Sequence, residues 1–190
     1  MTTILLAVSM LLARDEAALR EAYAKEIQAT DAAARVAAVK KLAGAKEHKT
    51  IELLAGALKD ESADVKKAAA ETLEGVNDAG GAAVGPLGAV LVDAKEDVAL
   101  RLQCAKSLSK SPYKSEAFPH FFKTITGIAP EAKHLHKFGY QVTVILDGYV
   151  GKSFGAGRET PERWEEWWTD NQAALKAADA KRREEWKKAQ

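Results

Sequence analysis

A nine-residue pattern occurs three times in this chain, over residues 34–42, 65–73 and 100–108. Each copy begins with alanine or an aliphatic residue followed by Arg or Lys, has small residues near its centre and ends on leucine. The copies start 31 and 35 residues apart. A second pattern recurs in the same phase, at Leu54–Leu58 and Leu87–Leu91 with a poorer copy at Phe121–Ile125. Two helical segments repeating at a period of about 33 residues predict an all-α fold, an α-solenoid of stacked antiparallel helix pairs.

The second copy lies within Asp60–Leu73, which reads DESADVKKAAAETL. This segment resembles the first helix of the HEAT-repeat family, D-x-x-x-x-V-R-x-x-A-A-x-A-L, and the resemblance extends over roughly residues 31–127. It implies that the pairs are HEAT-like repeats, whose stack presents an extended curved surface suited to protein contacts. The implied function is a non-enzymatic module or scaffold for protein–protein interaction, with a protein partner that the sequence does not identify.

Helical periodicity and turn residues divide the chain into segments. Residues 14–29 are predicted to form an N-terminal capping helix, and residues 30–127 to form three HEAT-like repeats. The predicted helix pairs are 31–43 with 48–59, 63–76 with 79–92, and 96–109 with 115–127. Residues 128–190 are assigned to a C-terminal helix, a glycine-containing loop and a Trp-rich capping helix.

An apolar run from Ile4 to Leu12 lies near the start of the sequence. It is too short to span a bilayer and fits the core of a signal peptide over residues 1–13, which predicts export to the periplasm or the extracellular space. No Lys or Arg precedes the run, and Leu11 stands where a small residue is preferred. The alternative is a first helix running from Thr2 to Ala29 in a cytoplasmic protein. No membrane span is predicted for the mature chain.

The segment 132–150 carries two patterns at once. Its apolar residues follow helical spacing over four turns, at Leu135, Phe138, Val142, Ile145, Leu146 and Tyr149. A shorter run alternates as in a strand, at Tyr140, Val142, Val144 and Leu146. The longer period and the helical context favour a helix.

The last part of the chain begins with a strong helix start. A glycine-containing loop over residues 152–159 leads to Thr160-Pro161-Glu162, with a capping hydroxyl, a proline at the first helical position and an acid near the positive helix end. Residues 173–190 are rich in alanine and charged residues. They are predicted to form a projecting or loosely docked helix.

Three tryptophans follow this helix start at i, i+3 and i+4 and share one helix face: Trp164, Trp167 and Trp168. The segment resembles the W-x-x-W-W-x-x-N closing segment of secreted bacterial HEAT-repeat proteins, which also implies export. The Trp face is expected to pack against the last repeat, with Trp164 and Trp168 buried against Val142, Ile145 or Leu146. They are also the candidate partner surface, because exposed tryptophans are frequent in binding hot spots. The alternative function is an enzyme or enzyme accessory that uses the 147–160 loop and the Trp face as a ligand pocket.

The remaining chemistry of the sequence is sparse. With 28 basic and 27 acidic residues the chain has no global field that favours nucleic acid. A local excess of lysine does occur, at Lys106, Lys110, Lys114, Lys123, Lys133 and Lys137. The single cysteine, Cys104, is expected to be a buried thiol. His134 and His136 point to different sides of a helix, and no His-Glu dipeptide occurs, so the di-iron site of HEAT-repeat hydroxylases is not implied. No catalytic residue, metal or cofactor is predicted.

Overall fold

The computed structural model describes residues 16–129, 131–155 and 160–190. Over these residues the chain is all-helical and contains no strand. The α-helices of this part of the chain are α1 (16–26), α2 (Ala32–Lys41), α3 (His48–Gly56), α4 (Ala63–Glu74), α5 (Val84–Val92), α6 (Val98–Leu108), α7 (Lys114–Thr126), α8 (His136–Val150) and α9 (Thr160–Lys188). The predicted signal peptide, residues 1–13, lies outside the described residues.

The helices form two layers. In the first layer α2, α4, α6 and α8 pack side by side, and in the second α5 packs between α3 and α7, with α9 packed on α7. Helix α1 joins the second layer at α3, where the hydroxyl of Tyr23 donates to the carbonyl oxygen of Leu53 at 3.3 Å. Helix α8 therefore extends the first layer beyond α6, and α9 extends the second layer beyond α7.

Successive helices of the first layer bury the same positions, spaced four residues apart on one helix face. The buried sets are Val65, Ala69 and Leu73 in α4, Leu100, Cys104 and Leu108 in α6, and Phe138, Val142 and Leu146 in α8. The central residue is small in α4 and α6, which allows neighbouring helices to approach closely. The buried residues of these helices belong to one continuous hydrophobic core.

The basic residue of each nine-residue pattern links its helix to the next pair. Arg35 of α2 forms a bidentate ion pair with Asp60, at 2.9 Å for both contacts, in the segment that leads into α4. Lys66 of α4 forms an ion pair with Glu96, just before α6. The side chains of Arg35 and Asp60 are only 8% and 11% exposed. These ion pairs fix the spacing between successive pairs of helices.

The third basic residue makes a different contact. Arg101 of α6 is 5% exposed, and its Nε donates to the carbonyl oxygen of Leu91 at 2.9 Å. Its guanidinium group lies 4.5 Å from the centre of the Phe138 ring in α8. Burial lowers the pKa of Arg101 from its ordinary value. The cationic group of Arg101 thus contacts an aromatic ring, whereas the basic residues of the first two copies contact carboxylates.

Helix α5 begins at Val84, five residues later than the predicted 79–92. The chain before it is held by Asp78, whose carboxylate accepts hydrogen bonds from the backbone N–H groups of Ala82 at 2.9 Å and Ala83 at 2.7 Å. Asp78 therefore satisfies amide groups ahead of the helix that would otherwise lack partners. Local hydrogen bonding of this kind competes with helix extension.

The segment 132–150 is helical, as the longer period predicted, with a short 3₁₀ turn over Lys133–Leu135 before α8. The strand-like alternation has a physical origin in this helix. Val142 and Leu146 are fully buried, whereas Tyr140 and Val144 are 58% and 49% exposed. Helix α8 therefore carries apolar residues on two opposite faces, of which only one packs in the core.

Of the two alternatives for residues 173–190, projection is wrong: the segment docks through a few side chains, while most of the others are exposed. Helix α9 runs without interruption from Thr160 to Lys188, about 43 Å at 1.5 Å per residue. The last part of this helix, residues 173–188, lies over the loops that join the two layers. We call this part the strap. Asp179, in the middle of the strap, is 4% exposed. A charged side chain is buried to that extent only when it has partners, and those of Asp179 are described below.

Candidate functional site

The three tryptophans of α9 form an aromatic cluster with Phe118 of α7. The ring of Trp168 stacks on Phe118 with centres 4.6 Å apart and planes 6° apart. The rings of Trp167 and Trp164 lie 5.4 and 5.8 Å from the same phenylalanine in tilted orientations. Phe154 meets Trp164 edge-on at 4.7 Å. These are favourable aromatic geometries, each adding to the area that the rings bury.

The cluster has an inner and an outer part. Trp164 is fully buried, whereas Trp167 and Trp168 are half-buried and keep edges in solvent. Of the two tryptophans predicted to be buried against α8, Trp164 is buried and Trp168 is not. Both rings contact Phe118 of α7, which the sequence analysis did not single out. The signal was present in the sequence, because Phe118 lies on the same buried face of α7 as Phe121.

The loop after α8 packs beside this cluster. Gly151 ends α8 with a φ of 75°, a left-handed conformation in which glycine has no side-chain penalty. Asp147 accepts a hydrogen bond from the Ser153 hydroxyl at 2.6 Å, and Lys152 places its ammonium group 5.8 Å from the centre of the Phe154 ring. Residues 156–159, which complete the predicted 147–160 pocket, lie outside the described residues.

Two buried polar atoms in this region have no hydrogen-bond partner within the described part of the chain. They are Nε1 of Trp164 and Oδ1 of Asp147. A buried donor or acceptor without a partner typically costs about 1–3 kcal/mol. The indole N–H of Trp164 is a donor and the carboxylate oxygen of Asp147 is an acceptor, so water or another polar molecule can form a hydrogen bond with either atom.

The strap makes a second set of contacts that sequence reasoning missed. The carboxylate of Asp179 accepts a hydrogen bond from the Ser115 backbone N–H at 2.7 Å, in the first turn of α7. An acid in this place also complements the positive end of the helix. The guanidinium group of Arg182 donates to Pro112 at 3.0 Å and pairs with Asp179 at 3.2 Å. Asp179 is thus buried with its hydrogen bonds satisfied.

Further along the strap two side chains contact earlier parts of the chain. The guanidinium group of Arg183 lies 4.7 Å from the centre of the Tyr113 ring, and the ring of Trp186 lies 4.7 Å from that of His48 at the start of α3. Asp179, Arg183 and Trp186 are spaced at i, i+4 and i+7. This spacing puts them on one helix face, but only Trp186 is apolar, so a hydrophobic pattern does not mark that face.

The other residues considered for chemistry do not form a reactive group. Cys104 is fully buried, and burial raises the pKa of its thiol to about 12, so the nucleophilic thiolate is scarce at neutral pH. His134 and His136 lie in the 3₁₀ turn and at the start of α8. Among the residues that the structure describes, no group of three or more His, Cys, Asp or Glu side chains is placed to hold a metal ion.

No helix within residues 16–129, 131–155 and 160–190 has both the length and the apolar character needed to cross a bilayer. No protein-family model, curated protein or solved structure matches this chain.

Proposed function

We propose that this protein is an exported, non-enzymatic scaffold that binds another protein and is built as a HEAT-like α-solenoid. The observation that carries the proposal is the side-by-side packing of α2, α4, α6 and α8, with equivalent positions buried in successive helices. Stacking of this kind produces an extended surface of parallel helix faces, which suits contact with a protein better than enclosure of a small substrate.

The outer part of the aromatic cluster supports the proposal. Trp167 and Trp168 pack on the ring of Phe118 and are still only half-buried. A tryptophan whose rotamer is already fixed loses little entropy on binding and offers a large contact area. In this proposal Trp164 supports the cluster from inside, and Trp167 and Trp168 contact the partner.

Affinity capture from the source organism, followed by mass spectrometry, tests the scaffold function. We expect one protein to be enriched by the wild type and by Trp186→Ala, whose ring lies in the strap, and to be lost with Trp167→Ala. Melting temperatures of the three proteins control for unfolding. Recovery of the same partner by Trp167→Ala would contradict the role of the cluster, and enrichment of no protein by any of them would contradict the scaffold function.

Export is tested separately on native material. The apolar run at Ile4–Leu12 supports removal of the first 13 residues, so N-terminal sequencing is expected to start near Arg14. A mature protein that still begins at Met1 or Thr2 would contradict export and leave the scaffold proposal unaffected.

A ligand site beside the 147–160 loop is the second candidate, favoured by the two unpartnered polar atoms of Trp164 and Asp147. An enzyme or an enzyme accessory could use such a pocket. Tryptophan fluorescence during a screen of small polar compounds tests it, with Asp147→Asn as the variant. A saturable change that Asp147→Asn weakens would support the ligand site, and the absence of any saturable change would contradict it.

A further inference from the structure

A groove runs between α2 and α4 on the side of the first layer that faces away from the second. Its volume is about 390 Å³, many times the about 10–15 Å³ that suffices for one water molecule. Small and aliphatic residues line part of it: Ala32, Ala33, Val36 and Ala68. Charged residues of both signs line the rest: Lys40, Asp64, Lys67 and Glu71. The groove thus combines an apolar lining with an edge of mixed charge.

The other half of the same side carries exposed apolar residues. The helices of the first layer share one equivalent buried leucine, at Leu42, Leu73, Leu108 and Leu146. Six residues before this leucine, α2 has Val36 and α4 has Lys67, whereas α6 has Leu102 and α8 has Tyr140. Tyr140 and, one turn later, Val144 are among the most exposed large apolar side chains of the described residues. One surface therefore presents a groove on α2 and α4 and protruding apolar side chains on α8.

Charge on this surface is balanced. The groove has two lysines and two acids, and the helices α6 and α8 with their first residues also have two of each: Lys106, Lys137, Asp97 and Asp147. Among the described residues Asp64, Glu71, Lys106 and Lys137 form no ion pair. A uniformly acidic or basic partner would be attracted by one part of this surface and repelled by another. A copy of the same surface fits, if it is turned so that acids meet bases.

We propose that two copies of this chain pack face to face through this side of the first layer. The two-fold axis runs parallel to the helices, between α4 and α6. It places α8 of each copy over the α2–α4 groove of the other, and α4 opposite α6. Residues at the same distance from the shared leucine then meet, so Tyr140 of one copy enters the groove beside Val36 of the other. The symmetry repeats this contact, and both grooves are filled.

The same arrangement brings opposite charges together. Two residues before the shared leucine, α4 has Glu71 and α6 has Lys106, which face each other across the axis. Nine residues before it, α4 has Asp64 and α8 has Lys137, which lie on adjacent helices of the two copies. Lys67 lies between the two acids of α4, and its aliphatic stem can cover the apolar surface opposite. Complementary charge thus gives the dimer its register.

Geometry selects this axis and limits the strength of the dimer. A two-fold axis perpendicular to the helices would place groove on groove and leave both empty. The face is about 35 Å wide for four helices spaced by about 9 Å, and about 18 Å long over the 12 residues of α4. The dimer therefore buries about 1,200 Å² in total, at the lower end of stable interfaces. We infer a reversible dimer, which goes beyond the scaffold function proposed above.

Analytical ultracentrifugation of the full chain from about 1 to 500 μM tests the dimer. We expect a dimer fraction that rises with concentration. Tyr140→Ser plus Val144→Ser should raise the dimer dissociation constant on the order of tenfold or more. Leu19→Ser is the matched control, because Leu19 is also exposed but lies on α1, away from this surface. It should leave the dissociation constant unchanged.

Charge reversal tests the register. Glu71→Lys alone and Lys106→Glu alone should each weaken the dimer, because like charges then meet in both homodimers. An equal mixture of the two variants should dimerise again, because every contact across the axis then joins an acid to a base. The control mixture is Glu166→Lys with Lys49→Glu, two exposed positions on α9 and α3. These control variants should dimerise like the wild type, alone and mixed.

Three results would overturn the proposal: a wild type that is monomeric at every concentration, a dimer that the Tyr140 and Val144 variant leaves intact, or a mixture of charge variants that stays monomeric. If the wild type is monomeric and the Tyr140 and Val144 variant loses the partner that the wild type captures, this surface belongs to that partner and not to a second copy. A monomeric wild type that still captures a partner leaves the scaffold function standing. A dimer that captures none contradicts the scaffold function alone.

Discussion

At the residue scale, the Arg35–Asp60 ion pair links the first two pairs of helices and makes the stability of that junction depend on pH. The hydrogen bonds from Arg35 hold the pKa of the Asp60 carboxyl below its ordinary value. A carboxyl whose pKa is lowered by folding stabilises the protein fully above its unfolded pKa, about 3.9. That contribution is lost as the pH falls from there through the lower pKa of the folded state.

We therefore expect Asp60→Asn to lower the melting temperature at neutral pH and to flatten its decline below about pH 4. The amide keeps the shape of the side chain and removes the charge, so the ion pair that the buried Arg35 keeps is its longer contact with the exposed carboxylate of Glu61, at 3.4 Å. Asp170→Asn, an exposed position on α9, is the matched control and should retain the wild-type slope. Melting curves between pH 2 and 7 measure both. An unchanged slope in Asp60→Asn would show that the pair does not control acid stability.

Trp164 and Trp167 allow a second prediction at this scale, because they share a helix face but differ in burial. Trp164→Ala removes a fully buried ring, which typically costs about 3–5 kcal/mol of unfolding free energy. Trp167→Ala should cost less, since its ring is half-buried. Amide exchange should quicken first in α7 and α9, which meet at Phe118, and later in α2 and α3. Equal melting temperatures for wild type and Trp164→Ala would mean that the cluster does not stabilise the C-terminal end.

At the element scale, docking of the strap depends on a glycine in the loop before α5. A Cβ atom at Gly80 would lie 2.3 Å from Nδ1 of His48 and 3.0 Å from the ring of Trp186. Both distances are tighter than ordinary van der Waals contact. The loop therefore passes close beneath the His48–Trp186 contact, and only a residue without a side chain fits there.

Gly80→Ala is expected to push His48 and Trp186 apart and to release the last turns of α9. The readout is faster amide exchange and higher proteolytic sensitivity over residues 180–190, with a lower melting temperature. Gly85→Ala is the control, because its Cβ would meet no atom within 4 Å. As an exposed position inside α5, it should gain up to about 1 kcal/mol from the better helix propensity of alanine. Undisturbed exchange in Gly80→Ala would show that the close approach is not needed for docking.

At the scale of the whole molecule, the strap joins parts of the chain that an open stack of helices would leave independent. In an open stack each pair contacts only its neighbours, so stability is a sum of local terms and the ends fray. The strap brings α9 into contact with Tyr113 and with His48 of the first pair. These contacts span the stack and oppose separate unfolding of its two ends.

Removal of the strap by a stop codon after Gln172 tests this coupling. We expect the single unfolding transition to broaden or to split, with α1–α3 unfolding under milder conditions than α6–α8. Denaturant titration followed by hydrogen exchange measures the order of events. The cooperativity of unfolding of the full chain with Trp186→Ala should lie between that of the wild type and that of the truncated protein, because this variant keeps the contacts of Asp179 and Arg183. A truncated protein that unfolds as cooperatively as the full chain would contradict the role of the strap.

The parts of this fold that the sequence predicted are those determined by local periodicity. Val65, Ala69 and Leu73 lie on one helix face in any amphipathic helix, so the helix positions followed from spacing alone. The docking of α9 did not follow from spacing. Asp179 and Arg183 dock by charge and hydrogen bonding, and a hydrophobic pattern gives no signal at such polar positions. The aromatic cluster was placed on the correct helix, while its partner Phe118 depends on how α7 and α9 meet.

The length of α9 also bears on how such a chain can change by duplication. Open arrays of helix pairs lengthen or shorten by whole repeats, since a new pair fits wherever the last one did. Here a single helix of 29 residues must reach from Phe118 in α7 to His48 in α3. Inserting one helix pair between these points would move His48 beyond the reach of Trp186, and deleting one would leave part of α9 without a contact. The length of α9 therefore matches the number of helix pairs between α3 and α7.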